Sequence, residues 1–112
     1  VRRDLSVGVM ASQIVHAAID FQHEHPDVAI NWHTNSNYVA LLTVADEQEL
    51  ISLITKAILK GIKHTIFREP DLGNRITAVA FEPSEASRKL LSSSPLFGKE
   101  LQSVEKTEME AA

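Results

Sequence analysis

Three polar side chains lie on one face of the first helix that the sequence predicts. Gln13, His16 and Asp20 are spaced at i, i+3 and i+7, so a helix brings them to the same side. Side chains of these types can orient a water molecule or transfer a proton. The same spacing also fits an ordinary solvated helix face, and His16, followed by two alanines, also fits a hydrogen-bonded core histidine. Spacing alone leaves both interpretations open.

Further candidates follow the predicted strands of the second half of the chain. Glu69 comes directly after a strand, where a carboxylate is well placed to orient a water molecule, and Asp71 is an alternative carboxylate. Thr77 opens the next strand and can donate or accept a hydrogen bond beside Glu69. The competing interpretations are a solvated loop glutamate and a threonine that reflects β propensity.

Four arginines fall at the same end of the predicted sheet, where they can form a patch for phosphate groups: Arg2, Arg3, Arg68 and Arg75. The 112 residues carry a formal net charge of −4, which argues against binding nucleic acid by bulk electrostatics. Any RNA contact must therefore be local.

Composition also limits the kinds of site. The chain has no cysteine, which excludes disulfides, thiol catalysis and cysteine-based zinc sites. The remaining histidines show no metal-ligand spacing: His23, His25, His33 and His64. We therefore predict neither a structural metal nor a cofactor. The absence of a leader and of a run of about 20 apolar residues predicts a soluble cytoplasmic protein.

These residues depend on elements that the hydrophobic pattern predicts. The opening residues 1–5 are expected to be the end of a strand whose start lies upstream. The remaining elements are a helix from Gly8 to about His25, a connection from Asp27 to Asn37, a strand from Tyr38 to Val44, a helix capped by Asp46 and ended by Gly61, a strand from His64 to Arg68, a loop from Glu69 to Arg75, a strand from Ile76 to Phe81 and a short helix from Pro83 or Ser84 to Leu91.

This order, β-α-β-α-β-β-α, predicts an α/β fold, namely a three-layer α/β/α sandwich with a four-stranded mixed sheet. Residues 1–97 form the expected domain, and residues 98–112 are expected to be a disordered acidic tail. Ligands of such sheets bind beyond the carboxyl ends of the parallel strands, which here follow Asp4, Val44 and Arg68.

Three motifs occur in an order that resembles a known family. Arg2-Arg3-Asp4-Leu5 is followed by the helix motif Ala11-Ser12-Gln13-Ile14-Val15-His16-Ala17-Ala18, then by the turn Val44-Ala45-Asp46-Glu47 and the strand Thr77-Ala78-Val79-Ala80-Phe81-Glu82-Pro83. The set resembles peptidyl-tRNA hydrolases of the archaeal and eukaryotic type. Two departures are similar to a divergent branch of that family. Ser6-Val7-Gly8-Val9-Met10 lacks the family's loop lysine, and Glu69-Pro70-Asp71 replaces its D-A-G-R-T loop.

The resemblance implies hydrolysis of the ester between a peptide and the 3′ ribose of tRNA, without a cofactor. It implies a catalytic group around Gln13 and His16, to which we add Glu69 and Thr77. From their predicted positions, the substrate-binding residues are expected to be Arg2, Arg3, Asp20, Arg68, Asp71 and Arg75. It also implies a homodimer, as family members often form. Two alternatives stay open: a non-catalytic relative that binds tRNA or another RNA, and a module that binds small molecules or proteins. The missing lysine favours the alternatives, whereas Gln13, His16 and Thr77 favour hydrolysis.

Overall fold

Three helices precede a β-hairpin, and a short fourth helix follows it. The computed structural model describes residues 1–99, so the predicted tail lies outside the described residues from residue 100 onward. The elements are α1 (Val7–Glu24), α2 (Pro26–Asn35), α3 (Glu47–Leu59), β1 (His64–Glu69), a 3₁₀ turn (Pro70–Leu72), β2 (Arg75–Phe81) and α4 (Glu85–Leu90). None of the helices within residues 1–99 is long and apolar enough to cross a membrane.

The predicted four-stranded mixed sheet and the order β-α-β-α-β-β-α are wrong. Within the described residues the sheet has two strands, β1 and β2, which pair antiparallel, and the observed order is α-α-α-β-β-α. The two other predicted strands contribute isolated bridges only. Arg2 pairs with Val44 in parallel, and Leu42 pairs with Leu96 in antiparallel fashion.

The reason lies in the surroundings of residues 38–44. A strand needs a neighbouring main chain along its length, and within residues 1–99 only the end of this segment, residues 41–44, bonds to the main chain of residues 1–3 and 95–97. A groove of about 1000 Å³ is lined in part by residues 38–42 and by residues 78–82. Tyr38 and Val39 are therefore 67% and 59% exposed instead of buried.

The predicted connection from Asp27 to Asn37 is also wrong, because α2 occupies most of it. Pro26 ends α1, as predicted, but it also takes the first position of α2, where a proline loses no helical hydrogen bond. The Trp32 indole nitrogen donates to the Tyr38 carbonyl at 2.7 Å, which ties α2 to the segment that follows it.

The core has two parts that share the hairpin. Ala17 of α1 packs with Ala78, whereas Leu50 and Ile54 of α3 pack with Ile76. Ile76 and Ala78 reach different helices although they are only two residues apart, because the pairing register of the hairpin shifts between them. At the start of α3, the predicted capping by Asp46 is confirmed, because Asp46 Oδ1 accepts from the Glu49 amide at 3.0 Å.

Candidate functional site

A β-bulge lies near the start of β2. Phe67 pairs with Ala78, but the next residue of β1, Arg68, pairs with Ile76, so Thr77 is an extra residue without a partner in β1. A bulge re-aims the side chain of the inserted residue. Here the Thr77 hydroxyl reaches α1, and Thr77 is 0% exposed.

Three of the predicted catalytic residues form one chain of hydrogen bonds. Thr77 Oγ1 donates to Gln13 Oε1 at 2.6 Å, and Gln13 Nε2 donates to Glu69 Oε1 at 3.3 Å. Gln13 is 2% exposed, so its amide orientation is fixed by these two neighbours. A carboxylate only accepts, which requires the amide nitrogen to face Glu69. The chain therefore leads from a buried hydroxyl to a carboxylate.

The carboxylate at the end of this chain keeps one oxygen available. Glu69 is half-buried, and no hydrogen bond within residues 1–99 involves its Oε2. It also makes no ion pair with a described residue. This oxygen can therefore accept a hydrogen bond from a water molecule, while Oε1 is held by Gln13.

His16 and Asp20 lie further along the same helix face and do not join this chain. The His16 ring stacks on Phe67 with 4.6 Å between ring centroids and 7° between planes. His16 is exposed, so its interpretation as a core histidine is wrong. Asp20 is half-buried and makes no hydrogen bond within residues 1–99. Phe67 precedes Glu69 by two residues, which corresponds to roughly 7 Å along a strand.

Arg2, which bonds to the main chain of the bulge, is already paired with Asp4. Arg2 is buried, and its Nε and Nη2 donate to the two carboxylate oxygens of Asp4 at 3.0 and 2.9 Å. Such a bidentate pair is strongly directional. The hydrogen bonds from Arg2 lower the pKa of the Asp4 carboxyl below its usual value. The same bonds raise the pKa of Arg2, whose guanidinium therefore stays charged.

The outer edge of the bulge is held by side chains. Ile76 N donates to Glu47 Oε2 at 2.7 Å, and the Ile76 carbonyl accepts from Arg2 Nη1 at 3.3 Å. The main-chain nitrogen of Arg2 donates to the Thr77 carbonyl at 3.2 Å. Neither Glu47 nor Asp4 was predicted as a site residue. Glu47 lies in the first turn of a capped helix, a position that gives no sign of a contact 29 residues away.

A cleft of about 560 Å³ adjoins this region. Its lining residues are Arg2, Leu5, Leu72, Gly73 and Arg75. Its position beside the hydrogen-bonded chain follows from the main chain. Arg2 is bonded to Thr77, and Arg75 pairs with Glu69 in the hairpin. Gly73 has a φ of 66°, the left-handed conformation that glycine adopts without strain, so the hairpin loop can bend around the cleft.

The other predicted substrate-binding residues lie on the surface without reaching the cleft. Arg68 is exposed, and its Nη1 donates to the Asn74 carbonyl at 3.4 Å. Arg3 and Asp71 are exposed as well. Of the four predicted arginines, only Arg2 and Arg75 therefore line the cleft.

The described part of the chain contains no group of three or more histidine, aspartate or glutamate side chains that can hold a metal ion. The site consists of an amide, a hydroxyl and carboxylates with two arginines nearby. Such a set can orient water and bind an anionic or ester substrate.

Comparison with protein families relates most of the chain to a known family. The family model described as peptidyl-tRNA hydrolase PTH2 matches residues 1–90. No curated protein matches the chain. The matched range includes every residue of the hydrogen-bonded chain and of the cleft.

Proposed function

Because the chain belongs to the peptidyl-tRNA hydrolase PTH2 family, as its three sequence motifs predict, we propose that it hydrolyses the ester between a peptide and tRNA. The partner is then peptidyl-tRNA, and the reaction uses water without a cofactor. An ester is reactive enough for one oriented water and a general base to be an effective catalyst.

In the proposed reaction Glu69 is the general base. Its Oε2 accepts a proton from a water molecule while the water oxygen forms a bond to the ester carbonyl carbon. The bond between that carbon and the ribose 3′ oxygen then breaks, and the proton passes to the leaving oxygen. Gln13 and Thr77 position Glu69, and the exposed ring of His16 lies further along the same face.

One observation carries this proposal, the bond from Gln13 to Glu69 Oε1. It holds one carboxylate oxygen from the buried side and leaves the other for water. A loop glutamate that only interacts with solvent does not need a buried amide aligned by a buried threonine. The arrangement therefore supports a catalytic role for Glu69 over a solvated one.

We assign contact with the tRNA phosphates to the exposed arginines Arg3, Arg68 and Arg75. We propose that Asp71 and Asp20 also contact the substrate. Arg2 is a weaker candidate for phosphate, because three of its guanidinium nitrogens already have partners. Arg75 is the better candidate, since it is exposed and lines the cleft.

The test is release of peptide from peptidyl-tRNA by the wild type and by Glu69→Ala. Loss of a general base lowers the rate by roughly 100-fold or more. Asp27→Ala is the matched control, because it also removes one exposed carboxylate but lies in the first turn of α2. We expect Asp27→Ala to retain the wild-type rate. A wild type that releases no peptide, or a Glu69→Ala variant as fast as the wild type, would refute the proposal.

A non-catalytic tRNA-binding role is the second candidate. It is favoured by the segment Ser6-Val7-Gly8-Val9-Met10, which has no lysine. In this case the exposed arginines bind tRNA, and the carboxylate has no catalytic role. Tight tRNA binding that weakens with salt, without peptide release, selects this candidate.

A further inference from the structure

The bulge at Thr77 turns one peptide unit away from β1. In the regular part of the hairpin, main-chain groups alternate between the partner strand and the outer edge. Around Ile76 the outer groups are held by side chains, with Glu47 accepting from the nitrogen and Arg2 donating to the carbonyl. The bond from Ile76 N to Glu47 Oε2 is the shorter of the two, at 2.7 Å.

Without this bond, the regular pairing register, in which β2 has no bulge, competes with the bulged one. A buried or half-buried N–H without an acceptor is unfavourable. Loss of the bulge would shift β2 by one residue, and a one-residue shift turns each affected side chain to the opposite face of the sheet. Thr77 would then face α3 instead of α1 and lose its bond to Gln13.

Glu47 is well placed to prevent this shift. It is the first residue of α3, whose start is fixed by the cap from Asp46. Leu50, one turn later, is 2% exposed and packs in the same core cluster as Ile76. The carboxylate is therefore presented to β2 from a rigid support and not from a mobile loop.

We propose that Glu47 is a positioning residue, which holds the Thr77 bulge and thereby keeps Gln13 and Glu69 in place. The inference rests on the proposed hydrolysis for its effect on rate. Its structural part, the orientation of Gln13, does not depend on catalysis.

The rate test uses Glu47→Ala and Glu47→Gln. A misplacement of about 1 Å at a catalytic group can cost up to roughly 100-fold, so we expect kcat of Glu47→Ala to fall at least about tenfold with KM nearly unchanged. The glutamine variant keeps an acceptor oxygen for Ile76 N, and we expect it to restore most of the activity.

Glu49→Ala is the matched control. Glu49 lies in the same helical turn, but its carboxylate accepts from the Ala45 nitrogen and does not contact β2. Its removal should lower thermal stability without lowering kcat. Glu47→Asp keeps the negative charge at the start of α3 and shortens the side chain, so it provides a folded test protein if Glu47→Ala unfolds. We expect a loss of kcat in Glu47→Asp too.

A second measurement follows the side-chain amide of Gln13 by NMR. In the wild type its protons should be protected from exchange, because Gln13 is buried and bonded on both sides. In Glu47→Ala or Glu47→Asp this protection should fall, and in Glu49→Ala it should persist.

The proposal is overturned if Gln13 stays protected in both Glu47→Ala and Glu47→Asp. It is also overturned if Glu47→Gln loses as much kcat as Glu47→Ala, or if Glu49→Ala has the same loss. A wild type that does not cleave peptidyl-tRNA refutes the proposed function alone, and the Gln13 protection then decides the role of Glu47.

Discussion

A buried threonine joins α1 to the hairpin at each of two places. At one, Thr65 Oγ1 donates to Glu24 Oε2 at 2.9 Å, and at the other, Thr77 Oγ1 donates to Gln13 Oε1 at 2.6 Å. The two threonines are 1% and 0% exposed. Viewed as isolated bonds, the two contacts are nearly equivalent.

Their surroundings differ. Thr65 lies in the regular register, opposite Ala80, and its partner Glu24 is an exposed carboxylate. Thr77 is the inserted residue of a bulge, and its partner is a buried amide that donates onward to Glu69. A threonine bonded to a helix is thus a packing contact in itself. At the Thr77 end, by contrast, the buried Gln13 amide also donates to Glu69, a half-buried carboxylate that can accept a hydrogen bond from water.

The largest effect that separates the two ends is expected from removing each hydroxyl. Thr77→Val leaves the Gln13 amide oxygen buried without a donor, which should destabilise the fold by about 1–3 kcal/mol. It also frees Glu69 to move, and kcat should fall roughly tenfold or more. Thr65→Val should cost about 1 kcal/mol or less, because Glu24 is exposed and can bond to water.

Urea unfolding and peptide release on both variants provide the measurement. The Thr65→Val variant is the control for any general effect of removing a buried hydroxyl, and its kcat should match the wild type. Equal losses of kcat at both ends would mean that the Thr77 end has no special role.

The next effect in size concerns the pH dependence of Gln13→Glu. This change places a second carboxyl at the 3.3 Å contact with Glu69, and because two carboxylates so close cannot readily both ionise, they share a proton and the higher of their two apparent pKa values is raised. A general base must be ionised, so the acid limb of the pH–rate profile should move upward by about one unit or more. Activity should then be lost at mildly acidic pH and recovered at higher pH.

Glu24→Gln changes the charge at the Thr65 end by one unit in the opposite direction and should leave the profile unmoved. An acid limb that stays in place in Gln13→Glu would show that Glu69 is not the group whose ionisation controls the rate.

The sequence predicted the parts of the site that depend on local spacing. The helical period brings Gln13 and His16 to one face, and the position of Glu69 after a strand brings it to the end of the sheet. It did not predict that Gln13, Glu69 and Thr77 share one chain of bonds while His16 stacks on Phe67 outside it. That distinction depends on the bulge, and a bulge is set by the register between two strands.

Contacts over long distances along the chain were missed for the same reason. The bond from Ile76 to Glu47 spans 29 residues and involves a main-chain group that has no sequence signature. The sheet was wrong because strand propensity describes a residue and not its neighbour. Residues 38–44 have the composition of a buried strand, but among the described residues they pair only through isolated bridges.

The smallest expected effect concerns the ion pair of Arg2 and Asp4, in which Arg2 also bonds to the main chain of the bulge. Its hydrogen bonds lower the pKa of Asp4, so the stabilisation is present above the unfolded pKa of about 3.9 and is lost as pH falls through the lower folded value. Because the Asp4 side chain is 39% exposed, solvent screening limits the contribution to about 1 kcal/mol or less. Asp4→Asn should therefore be slightly less stable than the wild type in urea at pH 7, and the difference should shrink toward zero as Asp4 of the wild type becomes protonated.

Asp27→Asn, which has no arginine partner within residues 1–99, should show no such convergence. If the stability difference for Asp4→Asn is the same at pH 7 and at a pH low enough to protonate Asp4, the ion pair stabilises the fold through its hydrogen-bond geometry and not through the charge of Asp4.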